Sequence, residues 1–81
     1  MEQEQMIWES IEEVMQEMIT AQKELLLAQG RRIIPQLTPE DMLQPNDYSE
    51  LEYHPNFRYE EGILTGLLSV QMAFQCIMKQ K

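Results

Sequence analysis

Residues 2 to 29 contain neither proline nor glycine, and within them Ile7, Ile11, Val14, Met18, Ala21, Leu25 and Ala28 recur at spacings of 4, 3, 4, 3, 4 and 3. This rhythm is a heptad seam, and it predicts one amphipathic helix about 40 Å long at about 1.5 Å per residue. Trp8, Met15, Ile19 and Leu26 widen the seam on one side, and Glu9, Glu12, Glu13, Gln16, Glu17, Thr20 and Lys23 occupy the opposite, solvated side. Gly30 is expected to end the helix as a left-handed residue. Arg31 and Arg32 follow it, where positive charge suits the carbonyl end of the helix dipole.

From Phe57 to about Gln80 the pattern is different. Steps of about 100° per residue put Ile63, Leu67, Val70, Phe74, Ile77 and Met78 on one broad arc of large side chains, with Gly62, Gly66, Ser69, Ala73 and Cys76 on the adjacent arc. Leu64, Leu68 and Met72 fall outside both arcs. After Glu61 the charged residues are Lys79 and Lys81, which match the negative end of this helix, and a helix apolar nearly all round is built for burial. The first helix offers a single seam, which covers the large arc and leaves the small one as a groove suited to close approach by another helix. The expected intermolecular contact is therefore Gly62, Gly66, Ser69, Ala73 and Cys76, flanked by Leu64, Leu68 and Met72. Its simplest form joins two copies of the last helix in a symmetric four-helix dimer.

All four prolines lie between residues 31 and 56, so residues 30–56 read as a connector between two helices of about 2–29 and 57–80. Thr38-Pro39-Glu40-Asp41 places a capping hydroxyl before a proline, with an acid three residues after the cap, and predicts a helical turn over residues 39–44. Asp47-Tyr48-Ser49-Glu50 predicts a second short turn by the same logic. Ile33, Ile34, Leu37, Met42, Leu43, Tyr48, Leu51 and Tyr53 are apolar anchors that hold the connector against the hairpin. Asn56 is the expected cap of the second long helix. The fold class is thus all-α: an antiparallel hairpin of two long helices with a Pro-rich connector carrying short helical turns, completed to a four-helix bundle by dimerisation.

Composition narrows the function. At 81 residues the chain is one domain, and folding at this size buries only about 60% of the unfolded surface, which leaves a single core marginal. Hydrophobic content of 43% and charged content of 25% are globular values. The net charge of -8, with only 6 Lys and Arg, argues against nucleic acid or an anionic membrane surface as partner and is more compatible with a basic or neutral protein partner. The single cysteine, the absence of a basic-then-apolar start in Met1–Gln5, and a longest apolar run of Leu25–Ala28, against about 18 residues for a span, lead to the expectation of a soluble cytoplasmic protein.

No spacing in the sequence matches a catalytic, cofactor or metal motif, so the expectation is a protein that is not an enzyme and needs no cofactor or metal. Glu9, Glu12, Glu13 and Glu17 lie opposite the seam, and no Glu-x-x-His pair accompanies them, unlike carboxylate-bridged di-metal bundles. His54 reads as a loop or surface residue, and Cys76 as a small buried one, far from the helix N-terminus that would favour its thiolate. Tyr48, Tyr53, Phe57 and Tyr59 put four of the six aromatic residues in one window beside Arg58. That cluster has two open readings, a partner patch or the seal at the hairpin's end. The resulting expectation is a small acidic interaction module: an adaptor, an assembly factor or a secretion-chaperone-like protein. In general design, though not in motif, it is similar to the small acidic helical co-chaperones of bacterial secretion systems. The alternative is a carboxylate-rich helical protein that binds a metal or small ligand.

Overall fold

The computed structural model describes residues 2–80. Two long helices, α1 (Glu2–Ile33) and α3 (Pro55–Lys79), pack antiparallel, and the segment between them carries 3-10 turns at Glu40–Leu43 and Pro45–Asp47 and a one-turn helix, α2 (Ser49–Glu52). Among the described residues there is no strand, and the chain is all-α. Lys81, expected to support the last turn of the second helix, lies outside the described residues.

Both helices run longer than their sequence signals. Gly30 does not end α1: no glycine has a positive φ, and Gly30 is buried within the helix. The stop comes from Pro35. It has no N–H to donate and disfavours helical backbone at the residue before it. The Ile34 N–H still reaches Gly30 O at 2.7 Å, and Arg31 Nε donates to Leu37 O at 2.9 Å, folding the chain back over the helix end. Small size, not conformational freedom, is what Gly30 supplies, because a Cβ there would overlap Leu37 Cδ2. At α3 the cap is His54, not Asn56. Its Nδ1 accepts from the Phe57 N–H at 3.3 Å, with Pro55 in the first turn.

Both predicted turns of the connector form, the first through its predicted cap and the second, α2, after Tyr48 with no side-chain cap. Thr38 N–H donates to Asp41 Oδ2 at 3.0 Å and Asp41 N–H donates to Thr38 Oγ1 at 3.3 Å, a reciprocal capping pair. The hydrogen bonds from the Thr38 backbone and side chain hold the Asp41 carboxyl below its ordinary pKa, while partial burial and the neighbouring Asp41 raise that of Tyr48. Arg58 then fastens connector to helix: Nε donates to Glu52 O at 2.7 Å, Nη2 donates to Asn46 Oδ1 at 2.7 Å, and Nη1 pairs with Glu61.

The core sits at this closed end. Leu26, Ile34, Leu37, Leu51 and Phe57 form one buried cluster, with Leu27, Ile33, Met42, Tyr48 and Leu64 packed against it. Toward the open end of the hairpin the two helices meet through Ile19, which is buried, and a line of half-buried contacts that ends in an edge-on pairing of Trp8 and Phe74 with ring centroids 5.6 Å apart.

Candidate interaction surface

The face that α1 turns to α3 is not the heptad seam. Trp8, Ile11, Met15, Ile19, Gln22, Leu26, Gly30 and Ile33 are buried or half-buried, whereas Ile7, Val14, Met18, Ala21, Leu25 and Ala28 are exposed. The inward line advances by about 3.6 residues per turn, the period of a straight helix, while the strict heptad slips around the helix relative to it. On α3 the same division appears. Phe57, Glu60, Leu64, Leu67, Gln71, Phe74 and Met78 face inward, and Ile63, Val70 and Ile77, expected in the core, face out. Gln22 in the middle of the inward line is matched by donating to both Glu60 O at 3.0 Å and Glu60 Oε2 at 2.7 Å, so a polar residue sits in the seam at no loss of hydrogen bonding.

The outward residues of α3 also form a heptad: Tyr59, Ile63, Gly66, Val70, Ala73 and Ile77, spaced 4, 3, 4, 3 and 4. At 100° per residue this stripe lies about 110° back from the inward line of α3, and the stripe on α1 lies about 105° back from its own inward line. Because the helices run in opposite directions, the same sense of rotation turns both stripes to one face of the hairpin. The other face is polar, and there Gln71 Nε2 donates to Gln16 Oε1 at 3.2 Å in a shallow groove bordered by Glu9, Glu12 and Gln75. Cross-hairpin contacts at Trp8–Phe74, Gln16–Gln71 and Gln22–Glu60 set the level of one helix against the other. They bring Val14 level with Val70, Met18 with Gly66, and Ala21 with Ile63. Ile7, Val14, Met18, Leu25, Ile63, Val70 and Ile77 are each 37–57% exposed, an apolar face running the length of both helices.

The predicted groove residues Gly62, Gly66, Ser69, Ala73 and Cys76 are all exposed, and nothing lies within 4 Å of a Cβ built on Gly62 or Gly66. They form the outer edge of the same apolar face. Their predicted neighbours divide: Leu64 packs on the core, while Leu68 and Met72 are exposed on the flank of α3 nearer the polar side. Cys76, read from sequence as buried, is exposed. The aromatic cluster divides too. Phe57 is fully buried, Tyr48 packs against it and Arg58 is committed to the connector, whereas Tyr53 and Tyr59 are 78% and 68% exposed. Of the expected patch, Phe57, Tyr48 and Arg58 therefore seal the hairpin, and Tyr59 joins the apolar stripe.

Among the described residues, no three His, Cys, Asp or Glu side chains are grouped as metal ligands would be. Helix α3 is long enough to cross a membrane, and its most apolar 18-residue window has a mean hydropathy of 1.3, although no uninterrupted apolar run in it exceeds three residues. No protein family, curated protein or solved structure gives a match to the chain.

Proposed function

We propose that the chain is a small helical protein-interaction module, of the adaptor, assembly-factor or secretion-chaperone-like kind, that completes its hydrophobic core by packing the apolar face of its hairpin against other helices. The observation that carries this reading is the pair of exposed heptad stripes, one on each helix, level with each other on one face. A solitary hairpin has no use for a second seam, and a contiguous apolar face of this kind is characteristic of a binding surface. The acidic polar face keeps the assembly soluble and leaves the apolar one for the partner.

The test is the native mass of the chain in extracts of the cells that make it, compared between wild type and Val14→Glu/Val70→Glu. Both valines are about half exposed, so the free hairpin tolerates the change. The expected result is a wild-type species heavier than the 9.6 kDa chain that the double substitution releases with helicity intact. A wild-type chain that runs at its free mass, or a heavy species indifferent to the substitutions, would sink the proposal.

The hydropathy of α3 supports a second reading, in which lipid rather than protein covers the apolar face. Fractionation separates the two: a chain that stays with membranes through alkaline carbonate washing is lipid-embedded, and one that remains in the soluble fraction is not.

A further inference from the structure

From the area and charge around the apolar face, we infer that its occupant is a second copy of this chain, packed so that the two hairpin turns lie at the same end and α1 of each copy rests on α3 of the other. This rests on the reading of the face as an interface and adds the partner and its orientation.

The surface area fits a dimer. The chain exposes 6107 Å², whereas a compact protein of its 9.6 kDa mass exposes about 5,100 Å². The excess, about 1,000 Å², is close to the roughly 800 Å² that each partner contributes to a standard stable interface. Part of that excess lies on the face between the helices, where Ile7, Val14, Met18, Ile63, Val70 and Ile77 are exposed.

Two symmetric arrangements could cover that face. With turns at opposite ends, α1 lies on α1 and α3 on α3. With turns at the same end, α1 lies on the partner's α3. Charge separates them. The outer flank of the α1 stripe carries Glu17 and Glu24, both exposed, and the outer flank of the α3 stripe carries small uncharged residues, Gly62, Ser69 and Cys76 among them. Stacking α1 on α1 sets one acidic row beside another, whereas stacking α1 on α3 sets it beside a neutral edge, avoiding like-charge contact. Side-chain size agrees. With turns together, residues already level across one hairpin share a layer with their copies, so in the middle of the face Met18 meets Gly66 and Ala21 meets Ile63, large against small, next to a layer of Val14 and Val70. That pairing lets the middle layers interdigitate.

The experiment uses purified full-length chain. Sedimentation over a dilution series should give twice the chain mass at high concentration, falling to the chain mass on dilution. A spin label at the exposed closed end, Gln36→Cys in a Cys76→Ser background, should then give an inter-copy distance below about 30 Å, the breadth of two hairpins with helix axes about 8–10 Å apart. A dimer with labels separated by about the 50 Å length of the hairpin would overturn the orientation. A purified chain that stays monomeric, while the cell extract holds it in a heavy complex released by Val14→Glu/Val70→Glu, would overturn self-association and leave the interaction reading standing. A dimer that Val14→Glu/Val70→Glu does not weaken would overturn both.

Discussion

Replacing a helical glycine with alanine has opposite consequences at two places in this hairpin, and the structure predicts both signs. In a helix interior the change gains about 1 kcal/mol, because glycine loses more backbone entropy on folding. At Gly62 nothing in the hairpin lies within 4 Å of the added methyl, so in dilute monomer Gly62→Ala should keep the whole gain and raise Tm by about 4–8 °C in a domain this small. At Gly30 the methyl overlaps Leu37 Cδ2 and sits 3.4 Å from Phe57 Cε1 and 3.7 Å from Met42 Sδ. Leu37 is 1% exposed and Phe57 fully buried, so Leu37 has no open space to turn into. Overpacking of this kind costs about 1–3 kcal/mol. With the propensity gain deducted, Gly30→Ala should lose about 1 kcal/mol, a fall in Tm of about 4–8 °C. Thermal melts followed by dichroism at one protein concentration test the pair. Adding Leu37→Val to Gly30→Ala, with both single variants measured, should show coupling, since the two residues share one contact. If Gly30→Ala raises Tm as Gly62→Ala does, Leu37 does not press on α1 and the account of the closed end is wrong.

Three other outcomes are expected. Gly66→Leu introduces a large side chain into the layer shared with Met18, at about 1–3 kcal/mol per site, and should weaken the dimer tenfold or more without loss of helicity; an unchanged dissociation constant in sedimentation would place Gly66 outside the interface. Asp41 has a lowered folded-state pKa, so its stabilising effect is present above the ordinary carboxylate pKa and disappears as pH falls through the folded value; chemical denaturation from pH 6 down to about pH 2 should show a flatter acid decline for Asp41→Asn than for wild type, and parallel curves would refute the capping account. Amide hydrogen exchange should protect residues around Leu26, Leu51 and Phe57 at every concentration, and protection near Val14 and Val70 should rise with protein concentration; equal protection along both helices in dilute monomer would mean that the hairpin needs no second copy.

Much of this architecture can be read in the sequence because the signals are local. Proline positions divide the helices, and the Thr38–Asp41 capping pair is written in four consecutive residues. The His54 cap could have been found by asking which side chain before Pro55 has an acceptor that reaches the first turn. Gly30 misled for a physical reason: glycine serves equally for a left-handed turn and for close packing, and only the position of Leu37 decides between them. Arg58 gave no local sign of its role because its acceptors, Glu52 O and Asn46 Oδ1, come from turns of the connector that must form first.

The choice of inward face on α1 was not legible, because that helix carries two apolar lines rather than one. The heptad of Ile7, Val14, Ala21 and Ala28 is the more regular, and regularity favoured it. In a short hairpin, though, the helices stay nearly straight, and the line that keeps facing a straight neighbour advances by about 3.6 residues per turn, which is the course from Trp8 through Met15, Ile19 and Leu26 to Ile33. A strict heptad drifts from that line by about 20° every seven residues, so over the length of α1 it cannot keep facing the same straight neighbour. Its regularity is meaningful only for a neighbour that the helix can supercoil around, and α3, already seated on the straighter line, is not that neighbour. The same holds for Tyr59, Ile63, Val70 and Ile77 on α3. Two lines of different period on each of two helices therefore describe two contacts, one inside the hairpin and one across its open face. The buried cluster around Phe57 closes the first, and on the proposed reading the second is filled by another pair of helices.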